Sequence, residues 1–332
     1  MNYPLDRRQF LRIAGSALGA GALYRVAPAW AGSGPAADVA LEQARRNGEG
    51  VGSFSFVQLS DTHVGFAGPP NPTGTLAFER AVEMINALPE KPELILFTGD
   101  LTHESEGPGE HERRMRRFKE IAARIRVPLV HAVPGEHDAG LDGGALFRAN
   151  FGETSYAFDH RGVHFVAIDN VSRAKPEVGR ERIAWLRADL ARFTPTTPIV
   201  VFTHRPLFDL RPDWEWFTRD GDEVMAVLDP FENVTVLYGH IHREDVRDTP
   251  HASHRAARSL IFAFPDPATS PEKKPVPFDR EHPFRGLGMR VVRAEDAAPP
   301  RGRSVRCDEV ELTLRHLSGT EGFAQLLRPT TL

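Results

Sequence analysis

Leu94-Ile95-Leu96-Phe97-Thr98-Gly99-Asp100 decides how this chain folds. The apolar run is short enough for a strand buried on both faces, and it stops abruptly at Gly-Asp. In an open α/β sheet, ligands collect at the carboxyl ends of the strands. A glycine there lets the backbone turn sharply, and an aspartate then projects from a rigid support. One carboxylate proves nothing alone. Four other strand-like runs, however, end the same way, each with His or Asp at its tip.

Working outward, Phe54 to Leu59 reads as a strand ending at Asp61-Thr62-His63, and Thr75 to Leu88 has helical spacing. Glu110 to Ile125 places Met115, Phe118, Ile121 and Ile125 at helical intervals. Pro128 to Val133 is a third strand, running into Gly135-Glu136-His137-Asp138. A hairpin follows around Arg161-Gly162, from Tyr156 to Asp159 and Val163 to Ile168. The spacing then predicts a helix over Glu177 to Phe193, a strand over Pro198 to Phe202 before His204, and a helix over Asp222 to Leu228. Val234 to Tyr238 is a strand ending at Gly239-His240-Ile241-His242. A Pro- and Lys-rich loop (265–283) precedes two last strands, Gly288 to Val292 and Ser304 to Leu314. The elements alternate βαβα and then become mainly β, with no linker dividing residues 53–332.

The chain has 332 residues with 41 basic and 45 acidic side chains, a net charge of −4, so charge implies no nucleic-acid partner. Its single cysteine, Cys307, excludes an internal disulfide. Residues 1–31 resemble a bacterial twin-arginine export signal. Arg7-Arg8 precede Phe10-Leu11, a glycine-diluted apolar run spans Ile13 to Leu23, and Ala29-Trp30-Ala31 offers a cleavage site. The run is too short to cross a bilayer, which takes about 20 apolar residues. The expectation is export through the Tat machinery, cleavage near Ala31, a periplasmic location and no stable membrane anchor afterwards. Removing residues 1–31 takes away four arginines and one aspartate and leaves 37 basic and 44 acidic residues, a net of −7. Residues 32–52 read as a linker.

The strand tips, collected in order, are Asp61-x-His63, Gly99-Asp100, Gly135-Glu136-His137-Asp138, His204 and Gly239-His240-x-His242. Imidazoles and carboxylates together suit Zn, Mn or Fe better than Ca. Seven candidate ligands are too many for one ion, whereas two ions sharing one carboxylate use them all. Two metals about 3.5–4 Å apart clamp the attacking and leaving oxygens of a phosphoryl transfer.

These five blocks resemble the calcineurin-like metallophosphoesterases, whose pattern reads D-x-H, G-D, G-N-H-[DE], H, G-H-x-H. The resemblance runs from about Phe54 to His242 and implies a four-layer α/β/β/α sandwich of two mixed sheets. It implies Asp61, His63 and His242 on a first metal, Glu136, His204 and His240 on a second, and Asp100 bridging both. It also implies a dinuclear phosphoric ester hydrolase, acting on a small phosphorylated substrate as a mono- or diesterase. A hydroxide between the ions would be the nucleophile, His137 the proton donor to the leaving oxygen, and Asp138 the group that orients His137.

One position departs from the pattern: Glu136 stands where the family has Asn. A third carboxylate binds metal more tightly but repels a phosphate dianion. It favours a ferric or mixed-valence iron centre, so Fe and/or Mn are the expected ions, with Zn possible. A swap with little effect is the competing reading.

His103 sits three residues after Asp100 and could touch substrate or metal, or be a solvated loop residue. Arg205 could clamp phosphate or pair with a carboxylate. Trp214 and Trp216 fit either core packing or an apolar wall over the cleft. His111, His131, His160 and His164 read as structural, and His251 and His254 as surface loop. Two rivals use the same residues differently: a metal-binding or redox protein in which Glu136 has weakened hydrolysis, and a Ser/His/Asp hydrolase. No Gly-x-Ser-x-Gly elbow supports the latter.

Overall fold

The anchoring strand divides its apolar side chains between two cores. The computed structural model describes residues 52–107, 109–296, 303–312 and 327–329. The export signal and, but for Gly52, the linker lie outside them. Strand β2 (Leu94–Thr98) lies between β1 (Phe54–Leu59) and β3 (Leu129–Val133), parallel to both, with Ile95 opposite Val57 on one side and Val130 on the other. Because side chains alternate across a strand, Ile95 and Phe97 face one way with Val57 and Leu59. Leu94 and Leu96 face the other way with Phe54 and Phe56.

The first set packs under helices α1 (Leu76–Ala87) and α2 (Glu110–Ala122), which bury Phe78, Val82 and Ile85, and Met115, Phe118 and Ile121. Two short helices follow β3: α3 (Glu136–Ala139) and α4 (Ala145–Phe151). The second set meets another sheet. That sheet holds β4 (Tyr156–His160), β5 (Val163–Ile168), β6 (Ile199–Thr203), β7 (Val234–Tyr238), β8 (Asp245–Asp248) and β9 (Ala252–Ala256), in the order β4-β5-β6-β7-β9-β8. Phe165, Val200, Phe202 and Leu237 supply its half of the inter-sheet core. On its outer face, Val166, Val201 and Val236 pack under α5 (Arg180–Leu190) and α6 (Gly221–Leu228) through Ile183, Leu186, Val224 and Leu228.

Returning to the first sheet, β10 (Gly288–Asp296) runs antiparallel to β1, then β11 (Arg303–Glu311) and β12 (Leu327–Pro329) extend the edge. The order there is β12-β11-β10-β1-β2-β3, so both sheets are mixed and the four-layer α/β/β/α sandwich is the observed fold. Among the described residues no helix is long and apolar enough to cross a membrane.

Most elements lie where periodicity places them; β8, β9, β12, α3 and α4 do not. Strands β8 and β9 read Asp-Val-Arg-Asp and Ala-Ser-His-Arg-Ala, without the apolar run or alternation that marks a strand in sequence. β9 forms through ladder hydrogen bonds to β7 and β8 through its bonds to β9, and β9 buries His254 and Arg255 alongside two alanines. The parallel trio β1-β2-β3 and the parallel pair β6-β7 end at the same edge of the sandwich. That edge is where the ligand-type residues emerge.

Candidate metal centre

The seven residues are brought together, in two groups. Asp61, His63, Asp100 and His242 offer ligand atoms within 4.8 Å of one another, and so do Glu136, His204 and His240. Asp100 joins the groups: its Oδ2 lies 3.3 Å from His63 Nε2 and 3.4 Å from His204 Nε2. Its Oδ1 is occupied elsewhere, accepting the backbone N–H of His137 at 2.9 Å. One oxygen is thus fixed by the scaffold and the other is left between two imidazoles.

The backbone beneath these side chains is unusual. Asp61, His63, Asp100, His240 and His242 all have positive φ, between 40° and 66°. Only two other non-glycine residues among those described do so, Arg161 and Glu215. Each such conformation costs on the order of 1–3 kcal/mol and persists only where surrounding structure over-determines it. The surrounding structure here is the parallel ladder, whose buried Leu, Ile and Phe side chains contribute about 1.5–3 kcal/mol each. The tips are also cross-tied: Asp61 N–H donates to Gly99 carbonyl at 3.0 Å and His63 N–H to Asp100 carbonyl at 2.9 Å. Gly99 (φ 92°) is required, because a Cβ there would run into the His204 imidazole and the Gly135 backbone.

Hydrogen bonds fix which nitrogen of each ring faces the centre. His204 Nδ1 donates to Thr98 carbonyl at 2.7 Å, His242 Nδ1 to Phe262 carbonyl at 3.0 Å, and His240 Nε2 to Glu215 carbonyl at 3.0 Å. A carbonyl only accepts, so those nitrogens carry the protons. The opposite nitrogens then present lone pairs inward, the arrangement that orients metal-bound imidazoles. They point at acceptors: His204 Nε2 lies 2.8 Å from Glu136 Oε2, His240 Nδ1 lies 2.8 Å from Glu136 Oε1, and His242 Nε2 lies 3.3 Å from Asp61 Oδ1. His63 Nε2 and His242 Nε2 face each other at 3.3 Å. Glu136 Oε2 and His204 Nε2 are buried and have no hydrogen-bond partner among the described residues. Lone pairs converging on lone pairs require a cation between them, so this donor set fits a pair of transition-metal ions.

The electrostatics agree. Burial, against the partial pull of Asp100, brings His63 down to about 3, and burial brings His240 down to about 4, so both rings are neutral and able to ligate. His204 goes the other way without a cation present: burial opposes its charge, but Asp100 and Glu136 outweigh it and raise its pKa well above the ordinary value. The centre demands positive charge.

His137 lies at the mouth, its ring 4.8 Å from that of His63 and stacked on His103 at 4.7 Å. Burial disfavours its imidazolium, yet Asp100, Glu136 and Glu104 outweigh burial and raise its pKa. His103 joins His63 and His137 in a histidine trio, with Nδ1 3.3 Å from His63 Nδ1. Of the readings open for His103, the solvated loop residue is thereby removed.

The expectation that Asp138 orients His137 does not hold. Asp138 is 1% exposed, and its carboxylate accepts the N–H groups of Leu101, Thr102 and Gly135 and the Thr102 hydroxyl, each at 2.9 Å. It staples the tip of β2 to the tip of β3. Burial, with Asp100 adding to it, pushes its carboxyl up to about 7. The carboxylate that approaches His137 is instead Glu104, at 3.7 Å from Nδ1.

Trp214 and Trp216 are also corrected as substrate candidates. They are 4% and 0% exposed, packed edge to face with each other and against Tyr238 and Ile241, and have no open face for a ligand. Their segment serves the centre through the Glu215 carbonyl, which also accepts from Arg205 Nη1 at 2.8 Å. Arg205 Nη2 lies 3.6 Å from Glu136 Oε1, so this arginine pairs with the additional carboxylate. His254 is buried in β9 against Phe208 and not on a surface loop. The structural readings hold for His164, which bridges Asp159 and Asp189, and for His131, which stacks on Phe158.

Comparison with known proteins gives this geometry its context. A probable glycerophosphodiester phosphodiesterase (GpdQ) of Arcobacter nitrofigilis is 27% identical over 56% of this chain and 71% of its own length. Serine/threonine-protein phosphatase CPPED1 of Danio rerio is 28% identical over 59% and 72%. Among solved structures, a dimetal phosphatase from Danio rerio superposes with a TM-score of 0.51 at 14% identity, covering 78% of this chain and 99% of that one. The sequence model of calcineurin-like phosphoesterases matches residues 54–244, which hold both ligand groups, and the chain belongs to that family.

Proposed function

We propose that this dimetal phosphoesterase hydrolyses its ester by direct attack of water, with Asp61, His63 and His242 holding one ion, Glu136, His204 and His240 the other, and Asp100 shared. The observation that carries the assignment is the set of three histidines whose outer N–H is tied to a backbone carbonyl. Each is left with one lone pair facing a carboxylate of its own group, Glu136 for His204 and His240 and Asp61 for His242. Ions so held would polarise the phosphoryl group and acidify water. His137, whose pKa is raised by the acidic residues around it against the effect of burial, would donate its proton to the leaving oxygen. Glu104 holds that ring from outside, and the Asp138 staple fixes the backbone from which it projects.

Fe and/or Mn are the proposed ions, with Zn a weaker competitor, because Glu136 makes the second subsite richer in oxygen. Arg205 supplies part of the charge that a ferric ion would otherwise have to contribute, so a divalent pair also fits. The test is metal analysis of protein from its own host, together with turnover of an aryl phosphate and its bis-aryl diester after metal removal and restoration. Activity that follows Mn or Fe occupancy is the expected result. Full activity with zinc alone overturns the metal assignment, and no hydrolysis with any metal overturns the function.

The same reading places the enzyme in the periplasm, delivered folded by the Tat machinery, supported by Arg7-Arg8 and Ala29-Trp30-Ala31. Changing Arg7 and Arg8 to lysine should leave the protein in the cytoplasmic fraction; unchanged export would remove this address.

A further inference from the structure

Glu136 brings a third carboxylate to a centre whose substrate is itself anionic, and the structure answers with cations on the same side. Arg205 is one. The second comes from the loop between β9 and β10, beyond the segment that the family pattern covers. Lys273 is partly buried there, and its Nζ donates to the Trp214 carbonyl at 2.9 Å. The next carbonyl along the chain, that of Glu215, accepts from Arg205 and from His240. Adjacent carbonyls of one segment therefore hold the two cations, with His240 bonded to the same carbonyl as Arg205. From the other side Lys273 rests over Phe264, 5.5 Å from the ring centroid, and Phe264 packs 5.0 Å from the ring of His242.

Neither cation is used up. Among the described residues, one of the three Lys273 N–H groups is engaged and the buried Arg205 Nε has no hydrogen-bond partner. Burial lowers the pKa of Lys273, while Glu136, Glu215 and Asp100 lie near enough to pull it back up. A flexible ammonium held partly out of water beside a metal centre is costly unless an anion meets it. A carbonyl of the 214–216 segment does not supply that charge.

We propose that Lys273, with Arg205 beside it, is a substrate-binding residue that recognises a phosphate monoester dianion and sets the preference for monoesters over diesters. A monoester presents three non-bridging oxygens and two negative charges near neutral pH; a diester presents two oxygens and one charge. The additional cation is therefore worth more to the monoester. This inference rests on the phosphoesterase reading of the centre.

The experiment compares wild-type enzyme, Lys273→Met and Lys273→Arg, each with its metal content measured, on the aryl phosphate and the bis-aryl diester, with inorganic phosphate as competitive inhibitor. Lys273→Met should raise the monoester KM and the inhibition constant for phosphate about tenfold, the value of one charge-assisted hydrogen bond. Diester kcat/KM should change less than about threefold, kcat should hold, and Lys273→Arg should recover most of the loss. Equal losses on both substrates, no loss on either, or a loss that tracks metal content overturns the proposal and leaves the hydrolase assignment intact. Wild-type enzyme that cleaves neither substrate with any metal overturns that assignment and this inference together.

Discussion

The two halves of the metal centre are built differently. Asp61, His63 and His242 are 0%, 3% and 3% exposed, all on left-handed backbone, with Phe262 stacked on the ring of His63 and tilted against that of His242. In the other half, Glu136 projects from the first turn of a short helix with about a quarter of its side chain open, and Arg205 faces it. The closed half is a holder, rigid and shielded from water. The open half is where charge is negotiated, since its carboxylate, its arginine and any incoming phosphate all meet there.

Removing the group that joins the halves should have the largest effect. Asp100→Asn keeps the acceptor for the His137 amide but weakens the shared oxygen, and should lower kcat by at least about 10³ while metal analysis finds less than two ions per chain. Two ions and near-normal turnover would mean that the halves work separately. His137→Ala comes next. Its ring borders His63 but is outside the proposed ligand set, so metal content should hold while kcat falls by about 10²–10⁴, least for substrates whose leaving group needs no proton.

Glu136→Asn tests the contrast itself. The open half should lose affinity for its ion by about tenfold or more, read by metal titration, while the closed half keeps its ion. Turnover at saturating metal should stay within about tenfold of wild type. A matching loss in the closed half would show that the two are one rigid unit. The smallest effect serves as a control on what a buried histidine does when it holds a proton instead of a metal. His164 lies between Asp159 and Asp189; burial disfavours its charge, but these carboxylates outweigh burial and raise its pKa. Its contribution to stability should be full below the unfolded value of about 6.5 and fade as pH rises through the higher folded value. The difference in Tm between wild type and His164→Gln should therefore shrink from pH 6 towards alkaline pH and be insensitive to chelators.

Much of the centre was legible because its chemistry is written in side-chain types at strand ends. An apolar run that stops at Gly99-Asp100, or a His-x-His after Val234 to Tyr238, can be recognised without coordinates. What escaped depends on distant partners. Asp138 looks like a companion for His137 because it is next in sequence, yet its oxygens turn back to Leu101, Thr102 and Gly135. The acceptors that set the imidazole tautomers are carbonyls of Thr98, Glu215 and Phe262, and any residue type supplies a carbonyl. Lys273 carried no signal in a loop rich in proline and lysine, because only the fold brings that loop over Trp214. The two tryptophans were ambiguous for a related reason: composition cannot say which side of a loop faces inward.

The left-handed tips carry a consequence of their own. Five residues sit in a conformation that their side chains disfavour, next to strands that are fully satisfied. Stripping the ions should therefore soften the molecule locally, with no loss of the sandwich. Amide exchange and protease cutting should quicken at residues 61–63, 99–101 and 239–242, while β2 and β7 stay as protected as before. An emptied protein of this design remains folded at its middle and frays only at its rim, ready to close again when metal returns.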